Sequence, residues 1–387
     1  MRLPLAIIAP MIVLAAPPGR RLIVNGSNLT TRDQPDKRIT LVGFNFDYMV
    51  GKLGMDAVSP LDKNITNMLP GANMARLVMV HWLDEPAQKA GHDCYAPHPP
   101  YLTNECITQF DAVLQWATQE AGLWATVTLR GSLAAGDGGQ GRTVFTNATL
   151  RAELIDMWGF LANRYRSLDG VAGFEVMSEP RWDGSDAVVH LFQKDACAAV
   201  WAADADAICF IGPATFYDRY SLGEQWLLPG NVVYAANFFE PKQWVTADAG
   251  VASVAYPGGV ARCCDLASHR SCSGGCHGAN VTFDRAWLAQ LLEPAVTFQR
   301  KYDVPVWIDQ WGLYRNAGPA DADRARYWRD MLDLLGAHDL HFAVWIWRRP
   351  TCAWEGYPIV CPRDDGSVYV YETAVAELAR WLHLRFE

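Results

Sequence analysis

The sequence lacks the features that would indicate a nucleic-acid or membrane partner. It carries 33 Lys and Arg against 42 Asp and Glu, a formal net charge of -9, and no basic stripe that could follow a phosphate backbone. Beyond the first 18 residues, no apolar run is long enough to span a bilayer. There is also no internal repeat and no low-complexity linker. For 387 residues, half of them hydrophobic, this predicts a single large domain.

The N-terminus has the form of a secretory signal peptide. Met1 and Arg2 precede an apolar run at 3–16, which ends in the small residues Ala15 and Ala16. We therefore predict a signal peptide over 1–18, a mature domain over 19–387, and a secreted protein. Acceptor motifs for N-glycosylation fit this route and predict a glycoprotein. They begin at Asn25, Asn28, Asn64, Asn147 and Asn280.

Ten cysteines agree with an oxidising compartment, where an even number predicts disulfide bonds. Three pairs are close in sequence, and four further cysteines cluster at 263–276. His277 follows this cluster, so zinc is an alternative there. Because paired C-x-x-C spacing is missing, we expect disulfides, no metal and no cofactor. The close pairs are Cys94 with Cys106, Cys197 with Cys209, and Cys352 with Cys361.

From residue 40 onward, short apolar runs alternate with amphipathic helical segments. This alternation is typical of βα units and a parallel sheet. Eight strand candidates with intervening helices predict an α/β protein, a single-domain (β/α)8 TIM barrel. The segment 240–282 is too long for an ordinary connection, so we expect a disulfide-stapled, Cys-rich loop after strand 6. The strand candidates are 40–46, 74–80, 123–129, 171–177, 207–212, 232–237, 304–308 and 341–345.

One strand candidate ends in a carboxylate. The apolar run at 171–177 leads to Glu179, which stands before Pro180. In an α/β barrel, catalytic groups lie at the C-terminal ends of the strands, although a Glu before Pro can also cap a helix or pair with an Arg. The 16 Trp add a second signal, because pyranose rings stack on indoles. Near predicted strand ends, the candidate sugar platforms are Trp82, Trp311 and Trp345.

Taken in order, motifs across most of the chain resemble glycoside hydrolase family 5, which contains cellulases, mannanases and exoglucanases. They lie at 43–45, 73–77, 161–180, 231–239, 305–308 and 345–347. The resemblance implies a retaining β-glycanase barrel in which Glu179 is the general acid/base. It also implies that Arg76 is the buried arginine beside the nucleophile, and that Trp345 forms the floor of the central sugar subsite.

The chain departs from the family pattern at several positions together. The nucleophile position is occupied by Gln310, whose neutral amide is too poor a nucleophile to form a glycosyl-enzyme ester at a useful rate. Ser178 replaces the Asn that holds the sugar 2-hydroxyl. Asn237 and Phe239 replace the His of the sixth strand and the Tyr that orients the nucleophile. This set of changes favours natural loss of hydrolysis over a single engineered substitution.

Two further carboxylates lie on the same strands. If Gln310 faces the cleft, strict alternation predicts that Asp309 faces the helix layer, unless a bulge intervenes. Glu175 lies deeper than Glu179, on the same side of its strand, and is expected to be a buried partner for an arginine such as Arg76.

The sequence leaves two functions open. The first is a secreted barrel that binds a β-linked oligo- or polysaccharide without hydrolysing it, or a structural extracellular glycoprotein whose partners are other extracellular or wall proteins. The second is an active endo- or exo-β-glycanase that hydrolyses O-glycosyl bonds, in which Gln310 marks an engineered or compensated nucleophile position. Neither predicts a nucleic-acid partner or a membrane span.

Overall fold

The computed structural model describes residues 20–47, 58–80, 96, 98–130, 143–180, 185–247, 253–261, 280–352 and 356–386. Several of the predictions above lie outside these ranges. They concern the signal peptide over 1–18, the sugar platform Trp82, the pairing partner Cys94, and the cysteine cluster at 263–276 with its zinc alternative.

Eight strands close into a parallel barrel in their order along the chain, and the last strand pairs with the first. The predicted (β/α)8 fold is therefore confirmed, and each predicted strand overlaps an observed one. The barrel strands are β4 (Val42–Asp47), β5 (Met74–Val80), β6 (Trp124–Arg130), β7 (Val171–Ser178), β8 (Cys209–Ile211), β9 (Val232–Phe238), β12 (Val306–Trp311) and β13 (His341–Val344).

Helices surround the barrel because each places one apolar stripe against it. In the helix Ala148–Tyr165, Leu154, Trp158 and Leu161 follow a three-and-four spacing and are buried. Asn147 caps its first turn by accepting from the backbone N–H groups of the next residues. The other long helices are Asn104–Gln115 with a π-helical turn Trp116–Glu120, Asp186–Ala203, Arg285–Tyr302, Asp321–Ala337 and Glu372–Phe386; one-turn helices are Pro60–Lys63, Ile65–Met68, Thr143–Thr146, Ala214–Tyr217 and Lys242–Val245.

A small antiparallel sheet closes the N-terminal end of the barrel. It consists of β1 (Leu22–Asn25), β2 (Asn28–Thr31) and β3 (Gln34–Ile39). Leu22 and Leu29 are fully buried and join the lowest layer of the barrel interior, which includes Phe210 and Trp307. The sheet therefore covers the bottom of the barrel. Two further hairpins are outside the barrel, β10 (Gly258–Ala261) with β11 (Asn280–Phe283) and β14 (Val360–Pro362) with β15 (Val368–Val370).

Two of the predicted disulfides are formed. Cys197 in the helix Asp186–Ala203 is bonded to Cys209 in β8, and Cys352 is bonded to Cys361. Cys106 is also disulfide-bonded. Among the helices that the structure describes, none combines the length and apolarity needed to cross a membrane.

Candidate active site

A cavity of about 420 Å³ opens at the C-terminal ends of the barrel strands, within the usual range of small-ligand sites. It contains five of the residues that the sequence singled out, namely Glu179, Asn237, Phe239, Gln310 and Trp345. The other lining residues come from connecting segments. They are Phe216, Tyr217, Asp218, Arg219, Glu240, Lys242, Thr246, Arg349 and Tyr357.

Glu179 stands at the end of β7 with a backbone φ of 49°, in the left-handed region that a residue with a side chain rarely adopts. Such conformations are costly and are found preferentially at functional sites. The side-chain amide of Asn237, on β9, donates a hydrogen bond to Glu179 Oε1. The carboxyl group is thus turned into the cavity and held there from a neighbouring strand.

The strand β12 contains a bulge, and this corrects the expected orientation of Asp309. Against β9, Ile308 pairs with Ala236 and Gln310 pairs with Asn237, so β12 has one extra residue at Asp309. The same shift appears against β13. As a result, Asp309 and Gln310 both lie inside the barrel. The bulge that was the stated exception to strict alternation is therefore present, and Asp309 does not face the helix layer.

Below the cavity, Arg76 is the centre of a fully buried polar cluster. Its guanidinium donates two hydrogen bonds to Glu175, at 2.7 and 2.6 Å, which confirms the predicted pairing of these residues. It also donates to Asn45 Oδ1 and to Ser178 Oγ, each at 2.6 Å, and its Nη2 lies 3.1 Å from Asp309 Oδ2. Burial alone would lower the pKa of Arg76, but Glu175 and Asp309 raise it above its usual range.

The carboxyl group of Asp309 is buried without a well-aligned hydrogen-bond donor. Its side chain is 0% exposed, and neither oxygen accepts such a bond from the described residues. Burial raises the pKa of Asp309 well above its usual range; Arg76 opposes this, whereas Glu175 and Glu179 add to it. Tyr217 lies in the same environment, and burial together with Glu175 and Asp309 raises the pKa of its hydroxyl.

Gln310 is the residue of β12 that reaches the cavity. Its Nε2 lies 3.5 Å from Ser178 Oγ, and only 5% of the residue is exposed. The structure thus places Glu179 and Gln310 in one cavity, on β7 and β12, as the sequence motifs indicate. It therefore brings a carboxyl group and a neutral amide to the same cavity.

Aromatic side chains form one wall of the cavity. Trp345 follows β13 with a cis peptide bond to Ile346, and the guanidinium of Arg349 lies 5.2 Å from the centroid of its indole. Phe239 and Tyr357 are in contact, with ring centroids 5.5 Å apart. The apolar ring faces at this wall suit a flat, amphipathic ligand such as a sugar.

Three predicted binding residues do not reach the cavity. Trp311 is fully buried and packs against Trp328 and Phe342, so its prediction as a sugar platform was wrong. It follows the bulge and points outward, toward the helix layer. Arg76 and Ser178 are also buried, at 0% and 2% exposure; Arg76 contacts Glu175, and Ser178 Oγ lies 3.5 Å from Gln310 Nε2.

Sequence reasoning missed the residues that connecting segments bring to the cavity. Phe216 and Tyr217 follow β8 with φ values of 62° and 55°, and Tyr357 comes from a segment beyond β13. None of these positions shows a periodic pattern in the sequence. Consecutive positive φ values depend on tertiary contacts, such as the hydrogen bond from the Tyr217 hydroxyl to the Met177 carbonyl.

Comparison with protein families agrees with this geometry. Residues 63–349 match the family model of cellulase (glycosyl hydrolase family 5), which covers well over half of the chain. The chain therefore belongs to glycoside hydrolase family 5. A comparison with curated protein sequences gave no match.

Solved structures show the same fold at low sequence identity. Thermotoga maritima Cel5A in complex with cellobiose is 14% identical, with a TM-score of 0.61, and the alignment covers 88% of this chain and 97% of that one. The cellulose synthase subunit Z of Clostridioides difficile is 13% identical, with a TM-score of 0.63 and coverage of 88% and 99%. An endogalactoceramidase is 15% identical, with a TM-score of 0.63 and coverage of 93% and 84%.

Proposed function

We propose that this protein is a secreted, glycan-binding member of glycoside hydrolase family 5 in which hydrolysis is lost or strongly reduced. The observation that carries the proposal is the amide of Gln310 in the cavity that holds Glu179. Retaining hydrolysis needs a second carboxylate about 5 Å from the acid/base. Asp309, the neighbouring carboxylate, is fully buried below the cavity and cannot contact a sugar.

Glycan binding is supported by the groups that remain in the cavity. Trp345 and Tyr357 line it with aromatic rings, and Glu179 and Asn237 provide polar groups beside them. The ligand class we propose is a β-linked oligosaccharide, because Thermotoga maritima Cel5A, which shares the fold, was crystallised with cellobiose and with mannotriose.

Secretion is a separate part of the proposal. The disulfides Cys197–Cys209 and Cys352–Cys361 are typical of an oxidising compartment and agree with the predicted signal peptide over 1–18. We place the mature domain at 19–387. The mass of the protein recovered from the medium of a eukaryotic secretion host, before and after treatment with an N-glycosidase, tests cleavage and glycosylation together.

Binding without turnover is tested by calorimetry and a reducing-sugar assay on the same preparation. The secreted full-length protein would be titrated with cellotetraose, mannotetraose and laminaritetraose, and incubated with the corresponding polysaccharides. We expect binding of at least one oligosaccharide and no release of reducing ends. Trp345→Ala should weaken binding about tenfold because a stacking surface is lost. Trp311→Phe is the matched control and should leave the affinity unchanged, since Trp311 does not reach the cavity.

The result separates the two functions that the sequence left open. Turnover by the unaltered protein would replace this proposal with an active β-glycanase. If no oligosaccharide binds and turnover is also absent, the barrel serves as a structural scaffold.

A further inference from the structure

We propose that Asp309 is a positioning residue of the cleft: its carboxyl occupies the place beside Arg76 inside the barrel, so that position 310 is suited to a neutral side chain. This inference rests on the proposed function, because it concerns the same cavity. Asp309 and Gln310 thus form one unit at the bulge of β12.

The bulge that creates this unit is fixed by side chains. The backbone carbonyl of Asp309 accepts a hydrogen bond from Asn45 Nδ2 at 2.9 Å, which satisfies a group that a bulge removes from the strand ladder. Asn45 Oδ1 in turn accepts from Arg76 Nη1 at 2.6 Å. The backbone that places Asp309 and Gln310 on the same side is therefore held by the arginine that lies beside the Asp309 carboxyl.

Arg76 has little capacity left for another anion. A guanidinium has five N–H donors, and four directed hydrogen bonds of Arg76 end on Glu175, Asn45 and Ser178. Its Nη2 also lies 3.1 Å from Asp309 Oδ2. A carboxylate at position 310 would thus enter a site where the nearest buried cation already faces two carboxyl groups.

The remaining charged or titratable groups around positions 309 and 310 do not remove this conflict. Glu175 and Glu179 add negative charge, and the hydroxyl of Tyr217 is buried and protonated. Arg349 lines the same cavity, with its guanidinium over Trp345. Arg76 from β5 and Glu175 from β7 lie below the unit. The charged or titratable groups that line the cavity with Gln310 are Glu179, Tyr217, Asp218, Arg219, Glu240, Lys242 and Arg349, of which Arg219 is paired with Glu240.

Three variants test the coupling: Gln310→Glu, Asp309→Asn, and the double variant Asp309→Asn with Gln310→Glu. Their thermal midpoints would be measured at pH 4.5 and pH 8, relative to the unaltered protein. A carboxyl placed among like charges has a raised pKa, so its penalty is small at acid pH and grows as the pH rises. We expect Gln310→Glu to lose roughly 5 °C at pH 8 and little at pH 4.5. The double variant should recover most of this loss, because one carboxyl has been removed.

A chemical readout accompanies the stability series. Each variant would be incubated with 2,4-dinitrophenyl 2-deoxy-2-fluoro-β-cellobioside, whose C1 forms an ester with an attacking carboxylate as 2,4-dinitrophenolate leaves. Intact mass would report the added sugar, and peptide mapping would place it at position 310. At pH 5, the double variant should be labelled about tenfold faster than Gln310→Glu, since one pKa unit changes the ionised fraction by that factor.

The stability series decides the inference without any ligand. A Gln310→Glu variant as stable as the unaltered protein at pH 8, or a double variant no more stable than Gln310→Glu, would overturn it. Hydrolysis by the unaltered protein would overturn the proposed function instead, and leaves the stability comparison in force.

Discussion

Replacement of Arg76 by Met tests the energetic role of the buried cluster most directly. The substitution keeps an unbranched side chain but removes four hydrogen bonds and the only cation within hydrogen-bond distance of Glu175 among the described residues. Breaking a buried ion pair by removing one partner costs about 3–5 kcal/mol, because the other charge is left uncompensated. With roughly 2 °C per kcal/mol for a chain of this size, the thermal midpoint should fall by about 6–10 °C at pH 7.

The size of this loss should depend on pH. Burial already raises the pKa of Asp309 in the folded protein, and without Arg76, which opposes this shift, it rises further above the value in the unfolded chain. A raised carboxyl pKa makes the folded state bind protons more readily, so the deficit is largest at neutral pH and shrinks as the pH falls toward about 4. Differential scanning calorimetry between pH 4.5 and pH 8 measures this trend.

Arg164→Met provides the matched control. Arg164 donates to Asp111 at 2.9 Å, but both side chains are partly exposed, at 12% and 21%. Such a pair contributes about 1 kcal/mol or less, so the midpoint should change by about 2 °C. Equal losses for Arg76→Met and Arg164→Met, or a loss for Arg76→Met that does not vary with pH, would refute the reasoning.

Two further predictions concern other parts of the barrel. Burial lowers the pKa of His341 to about 3, and its Nδ1 accepts a hydrogen bond from the backbone N–H of Leu41. The ring therefore stays neutral in the folded protein, whereas the same residue in the unfolded chain takes up a proton below about pH 6.5. The free energy of unfolding, measured by urea titration, should therefore fall by about 2 kcal/mol between pH 6.5 and pH 5. His341→Gln should lack this fall. Equal dependence on pH in the two proteins would contradict a buried neutral His341. A Cβ at Gly43 would lie 1.8 Å from the Met74 carbonyl oxygen, so Gly43→Ala should destabilise the protein by about 3 kcal/mol or more. Gly259→Ala is the control: a Cβ there has nothing within 4 Å, so the thermal midpoint should shift by less than about 2 °C. Similar shifts for the two variants would count against the steric argument.

The barrel could be predicted from the sequence because its strands are short apolar runs separated by amphipathic helices of clear periodicity. The pairing of Arg76 with Glu175 also follows from alternation along β5 and β7, where the register is regular at these positions. The sheet β1–β3 escaped prediction, since β3 is almost entirely polar and exposed. Because apolar and polar residues hardly alternate in this segment, the sequence does not indicate the strand that covers the end of the barrel.

The errors at the candidate site have a single structural origin. One extra residue in β12 shifts the side-chain alternation, so Asp309 and Gln310 share the interior and Trp311 points outward. Nothing in the local sequence distinguishes a bulged strand from a regular one. The bulge depends on hydrogen bonds from Asn45, which is more than 200 residues away in the chain.

In the part of the chain that the structure describes, the sheet β1–β3 closes the N-terminal end of the barrel, where Leu22 and Leu29 pack against its lowest layer. The barrel is therefore not a channel, and the cavity is reached from the opposite end, where the strands finish. On the proposed function, a long glycan would lie across that end and would not thread through the barrel.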